Sequence, residues 1–82
     1  MNQIHDIFVL DIGTGSGCIL ISLLHELRKS KGVGIDISNK ALNIAKKNAK
    51  NQNLSSRIKF FSKPISNLFH KKFDLIVSNP PY

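Results

Sequence analysis

Cysteine is nearly absent, Cys18 being the single one. One thiol excludes an internal disulfide and any multi-cysteine zinc site, and it fits a reducing compartment. Cys18 is expected to be a small buried residue. There is no tryptophan, and the six aromatic residues (five Phe, one Tyr) nowhere alternate with basic ones as a single-strand stacking platform requires. Long apolar runs are missing too. The longest, Cys18 to Leu24, is interrupted by Ser22 and falls far short of the roughly 18 residues of a membrane span. Met1-Asn2-Gln3-Ile4-His5-Asp6 lacks the basic n-region of a secretory signal. The expected location is the cytoplasm, with no membrane partner.

What remains is an ordinary globular composition in 82 residues, 41% hydrophobic and 21% charged. A chain this short holds one domain, here residues 1–82, and buries only about 60% of its unfolded surface, so its stability is marginal. Acidic residues are scarce, five against 12 basic ones, for a net charge of +7. Such a charge suits an anionic partner such as nucleic acid. Yet ten of the twelve basic residues are Lys in a chain also rich in Asn and Ile, a compositional bias rather than a targeted patch.

Phe8-Val9-Leu10-Asp11-Ile12 reads as a buried strand running into the loop Gly13-Thr14-Gly15-Ser16-Gly17. From Cys18 to about Ser30, apolar residues at 20, 23, 24 and 27 predict an amphipathic helix, with Arg28 and Lys29 in its last turn where the dipole favours cations. Lys31-Gly32 breaks it. Val33-Gly34-Ile35-Asp36-Ile37 reads as a second strand, and Ser38 as the N-cap of a helix from about Asn39 to Gln52, its lysines facing solvent. Arg57 to Phe61 gives a third strand and Phe73 to Ser78 a fourth. Between them, Ile65, Leu68 and Phe69 suggest one short helical turn. Strands alternating with helices mean right-handed βαβ units and a parallel sheet, whose ligand crevice lies at the carboxyl ends of the strands. The glycine loop, Asp36 and the terminal Asn79-Pro80-Pro81-Tyr82 all follow such ends and should converge on one pocket.

Each of these groups has a chemistry. Glycines at 13, 15 and 17 let the backbone turn tightly and a ligand approach closely; a dinucleotide fingerprint would want the third at 18, and a Walker loop would need a following Gly-Lys-Ser/Thr. Asp36, 19 residues beyond Gly17, is placed to accept hydrogen bonds from two ribose hydroxyls, with capping of the next helix as the alternative. In Asn79-Pro80-Pro81-Tyr82 the prolines leave rigid carbonyl acceptors and the Asn79 amide oxygen adds another. Such a set binds the two hydrogens of an NH₂ group, and Tyr82 offers a flat face to a planar amide or base. A nitrogen held in line with an electrophilic methyl needs little else.

Val9 to Ile19, Gly34-Ile35-Asp36-Ile37-Ser38, Ala41-Leu42, Ala45 with Asn48-Ala49, and Phe73 to Tyr82 together resemble the HemK-type protein-glutamine N5-methyltransferases, over nearly the whole chain and in order. Members are S-adenosylmethionine-dependent and methylate the Gly-Gly-Gln glutamine of peptide chain release factors. The resemblance implies a Rossmann-like class I methyltransferase fold of the α/β class, here about four parallel strands in the order 3-2-1-4 with flanking helices. It implies that Asp11, Gly13, Gly15 and Gly17 shape the pocket for the methionine part of the cofactor, with Thr14 at its edge, and that Asp36 takes the ribose. Asn79 and the Pro80 carbonyl would grip the substrate amide, with Tyr82 packed against it.

Two features depart from the family. Phe61-Ser62-Lys63-Pro64 lacks the acidic residue usual near the adenine. The helical domain before the glycine loop and about three strands after Asn-Pro-Pro-Tyr are also absent from these 82 residues, so the chain reads as a partial S-adenosylmethionine-binding domain. The fourth strand is then expected on an unprotected apolar edge that invites oligomerisation, aggregation or a complementing C-terminal methyltransferase fragment. Because the clamp asks only for a planar NH₂, a nucleobase exocyclic-amine N-methyltransferase acting on RNA or DNA is the alternative, and an inactive remnant of a split gene is a third reading.

Overall fold

A computed structural model of the chain describes residues 7–62 and 73–78. The expected turn at Ile65, Leu68 and Phe69, Lys63, and Asn79, Pro80 and Tyr82 lie outside the described residues. The elements are β1 (Phe8–Ile12), α1 (Cys18–Glu26), β2 (Lys31–Ile35), α2 (Asn39–Asn51), β3 (Ile58–Phe61) and β4 (Leu75–Ser78). All three ladders are parallel and the strand order is β3-β2-β1-β4, as expected.

Alternation along the strands builds two apolar layers. Val9 and Ile58 face Leu20, Ile21 and Leu24 of α1, with Ala49 and Leu54 in the same cluster. Leu10, Val33 and Ile35 face the other way, with Phe8, Phe61 and Phe73 packed against them. The rings of Phe8 and Phe73 stack with centroids 4.6 Å apart. On the α1 side β2 presents glycine: a Cβ on Gly32 would lie 2.7 Å from Leu20 Cδ1, and one on Gly34 2.8 Å from the Phe60 ring. Close packing therefore demands the glycines, and β2 begins at Lys31 rather than Val33. It ends at Ile35, leaving Ile37 88% exposed.

The largest departure concerns α1, which stops at Glu26 and leaves Arg28 and Lys29 in the following turn. The cause is Arg57, from 30 residues further on. Its guanidinium donates to the carbonyls of Leu24 and Leu27 at 2.7 Å and of Ser30 at 2.9 Å. Another helical turn would need the Leu24 carbonyl for residue 28. Ser38 does cap α2, its Oγ accepting from Ala41 N at 3.1 Å. Cys18 is exposed, not buried. It stands at the first position of α1 on the side turned from the sheet, while Leu20, Ile21 and Leu24 carry the buried stripe.

Among the described residues β4 lies at the edge of the sheet, as expected. Leu75 is 38% and Ile76 59% exposed, so the strand is open on both faces. At its foot Asp74 exchanges two bonds with Phe8: Phe8 N donates to Asp74 Oδ2 at 2.7 Å and Asp74 N to the Phe8 carbonyl at 2.8 Å.

Candidate functional site

The loop joining β1 to α1 runs at positive φ at all three glycines, 75° at Gly13, 56° at Gly15 and 79° at Gly17. An L side chain at such a position costs about 1–2 kcal/mol. The loop is anchored to the end of β2, where Gly13 N and Thr14 N both donate to the Ile35 carbonyl at 2.8 and 3.0 Å. Gly17 N closes it onto the Thr14 carbonyl at 2.8 Å. Gly17 has a second reason to be glycine, since a Cβ there would meet Ala45 Cβ of α2 at 3.2 Å. Among the described residues, apart from the chain neighbours of Gly15, no atom lies within 4 Å of where a Cβ on it would stand. Its backbone faces open space.

Asp36 closes the far side. Its Oδ2 accepts from Gly15 N at 2.8 Å and its Oδ1 from Ser38 N at 2.9 Å. The capping alternative for Asp36 is seen in its bond to Ser38 N before α2, while its other oxygen ties it to the glycine loop. Each carboxylate oxygen keeps a further acceptor position, and the side chain is half-buried.

Asp11 lies beneath the loop, 2% exposed. Thr14 Oγ1 donates to its Oδ2 at 2.8 Å, while Oδ1 is buried with no hydrogen-bond partner among the described residues. Burial pushes the Asp11 carboxyl above the usual carboxylate range; the Thr14 hydrogen bond pulls it partly back, and the neighbouring Asp36 charge adds to the rise. A buried acceptor left unmade costs about 1–3 kcal/mol, so Oδ1 is suited to a donor that a ligand brings. Thr14 is itself 7% exposed, part of the floor rather than of the rim.

Of the residues the sequence singled out, Asp11, Gly13, Thr14, Gly15, Gly17 and Asp36 come together through these bonds. Asn79, Pro80 and Tyr82 lie outside the described residues, but the preceding Ser78 pairs with Ile12, the residue before Gly13. Two contributors carried no role in the sequence reading. Gly34 makes room for Thr14 Cγ2, which a Cβ would meet at 3.1 Å. Asn48 of α2 donates through Nδ2 to the Ser16 carbonyl at 3.0 Å. Asn48 is one of four asparagines in α2, so its residue type alone gave no signal. Behind the loop, Ser16, Cys18, Ser22, His25 and Asn48 line an open groove of about 490 Å³ between α1 and α2. It shares only Ser16 with the glycine loop and lies away from Asp11 and Asp36. Among the described residues no group of three or more His, Cys, Asp or Glu is placed to hold a metal, and no helix is long and apolar enough to cross a membrane.

Comparison with known proteins agrees with this geometry. A family model described as a methyltransferase domain matches residues 5–81. The chain is 49% identical over 77 residues to a release factor glutamine methyltransferase of Agrobacterium fabrum, covering 90% of this chain and 26% of that protein. It is 48% identical over 82 residues to a bifunctional methyltransferase of Rickettsia bellii, covering 99% of this chain and 15% of that protein. Among solved structures, TrmN from Thermus thermophilus superposes with a TM-score of 0.79 at 32% identity, over 92% of this chain and 23% of its own. A methyltransferase from Thiobacillus denitrificans, solved with S-adenosyl-L-homocysteine, gives 0.76 at 27% identity, over 89% and 29%. The chain thus spans about a quarter of the length of the first of these curated relatives and about a seventh of the second.

Proposed function

The chain belongs to the methyltransferase-domain family, and from that premise we propose that it is the cofactor-binding part of an S-adenosylmethionine-dependent N-methyltransferase that acts on the glutamine side-chain amide of a peptide chain release factor. The observation that carries the cofactor assignment is the meeting of three features at one point: an open space over Gly15, the Asp36 carboxylate at its edge, and the unpartnered Asp11 Oδ1 below. Asp36 would accept from the ribose hydroxyls with its remaining lone pairs, and Asp11 Oδ1 would accept from the ammonium of the methionine part. Ile37, 88% exposed beside Asp36, offers apolar contact to a base. When bound, the cofactor supplies a methyl group on a positively charged sulfur.

The chain's own contribution to transfer is positional. Asn79 and the Pro80 carbonyl would hold the two amide hydrogens, leaving the nitrogen lone pair directed at the methyl, with Tyr82 against the amide plane. The pairing of Ser78 with Ile12 supports this, because it delivers the chain to the glycine loop just before Asn79. The name of the Agrobacterium relative supports glutamine as the acceptor. The net charge of +7 favours a second reading, a nucleobase amine in RNA, in which affinity would fall steeply with salt.

Calorimetric titration of the full chain with S-adenosylmethionine tests the first step, and saturable binding lost in Asp36→Ala is expected. A folded chain without affinity refutes it. The second step is read by labelled methyl transfer in the enzyme reconstituted with a complementing C-terminal fragment. Asn79→Ala should keep cofactor binding and abolish transfer to the release factor, and transfer to tRNA in its place would establish the nucleobase reading.

A further inference from the structure

A line of hydrogen bonds crosses the glycine loop from α2 to Asp36. Asn48 Nδ2 donates to the Ser16 carbonyl at 3.0 Å. That carbonyl shares its peptide with Gly17 N–H, which donates to the Thr14 carbonyl at 2.8 Å. The Thr14 carbonyl shares its peptide with Gly15 N–H, which donates to Asp36 Oδ2 at 2.8 Å. No peptide among the described residues is cis, so the C=O and N–H of each unit point opposite ways and the three bonds run head to tail. The direction is fixed chemically. A carbonyl only accepts, so Asn48 presents its NH₂, and the line ends on an anion.

We propose that Asn48 is a positioning residue for Asp36, acting through the two loop peptides that lie between them. The geometry stands alone, but its consequence for binding rests on the cofactor reading above. Two physical arguments carry it. Hydrogen bonds in series polarise one another, and a charged acceptor at the end strengthens each. The peptides in between flank glycines at positive φ, the residues whose backbone rotates most freely. With Asn48 gone, the Ser16–Gly17 peptide is free to turn, Gly17 N–H leaves the Thr14 carbonyl, and Gly15 loses the partner that aims its own N–H at Asp36. The Asn48 bond is exposed to water, so it adds little to global stability. Its effect falls on the loop.

The test compares the wild-type full chain with Asn48→Ala, Asp36→Asn and the double variant, using S-adenosyl-L-homocysteine in calorimetry. Asn48→Ala is expected to weaken binding about fivefold or more, within the range for members of one hydrogen-bond network, and less than about twofold once Asp36 is Asn. Equal losses in both backgrounds overturn the proposal. Asn48→Asp, which cannot donate to a carbonyl, should bind no better than Asn48→Ala, and wild-type affinity there also overturns it. Asn51→Ala, on the next turn of α2, is the control. A ligand-free measurement separates this inference from the cofactor reading. Amide exchange at Gly15 and Gly17 should speed up in Asn48→Ala while Gly32, bonded within the sheet, stays unchanged. If wild type binds no cofactor but exchange responds, the functional reading fails and the relay stands; unchanged exchange at Gly15 and Gly17 ends the relay whatever the binding.

Discussion

Alanine at position 15 separates the two reasons for a glycine there. The backbone sits at φ 56°, so a Cβ costs about 1–2 kcal/mol. Among the described residues no atom beyond its chain neighbours lies within 4 Å of that Cβ, so they add no steric penalty. Part of the conformational cost is offset by a less flexible unfolded chain, about 0.4–1 kcal/mol, leaving roughly 1 kcal/mol. For a chain of this size that lowers the Tm by about 4–8 °C. If the open space is where the cofactor lies, the same methyl group intrudes on it, and overpacking of about 1–3 kcal/mol becomes a roughly 5- to 150-fold loss of affinity. Gly17→Ala is the contrast. It adds a tight contact with Ala45 Cβ at 3.2 Å to the strained φ of 79°, so after the same offset its loss of stability is larger, about 1–4 kcal/mol. The assay pairs thermal unfolding with S-adenosyl-L-homocysteine titration well below the Tm. A Gly15→Ala chain that binds like wild type would refute the placement of the ligand over this residue.

Asp11 makes stability depend on pH. Its folded pKa is raised above 3.8, so the folded state takes up the proton more readily than the unfolded one, and the resulting stabilisation is complete below about 3.8 and lost as pH rises through the raised value. Asp11→Asn, which stays neutral, should therefore gain Tm relative to wild type as pH increases across that window; a constant difference would remove Asp11 as the cause. Arg57→Lys replaces a planar fork serving three carbonyls with a single ammonium. The loss of at least one charge-assisted bond, about 1.5–3 kcal/mol, should appear as a lower urea midpoint, and an unchanged midpoint would show the clamp to be idle. Ser38→Ala should cost about 1 kcal/mol through the lost cap on Ala41 N, while Ser38→Asp, which can still accept, should recover most of it.

Where local chemistry decided the structure, the sequence was legible. The apolar run Phe8 to Ile12 entering a glycine loop, the Ser38 cap and the alternation of strands and helices each stated their role in neighbouring residues. They led to the parallel βαβ sheet, while the order 3-2-1-4 came from the family resemblance, and the structure has both. What escaped was decided at a distance. Nothing between Cys18 and Ser30 announces that Arg57 will take the Leu24 carbonyl and end α1 at Glu26. Gly32 reads as a breaker because its use, admitting Leu20 against the backbone, belongs to the packing of two elements. Cys18 looked buried because Ile19, Leu20 and Ile21 surround it with apolar neighbours, and only the rotation of the helix decides which of them turn inward. Asn48 belonged to the recognisable pattern, yet its partner lies 32 residues away.

The bare face of β2 bears on how α1 is held along its length. Side chains rising from a strand act like teeth, indexing a helix against sliding along the strand axis. At Gly32 that tooth is missing, so Leu20 and Leu24 of α1 rest directly on the strand backbone. Its axial setting then rests on Val9 and Ile58 of the flanking strands and on the two stops at its ends. One is the glycine loop, tied to Ile35, Asp36 and Asn48; the other is the Arg57 fork under the final turn. A nine-residue helix is a stiff rod only about 13 Å long. Loosening the fork at one end therefore bears on the other, and the cradle over Gly15 is kept in place in part by an arginine at the far end of α1.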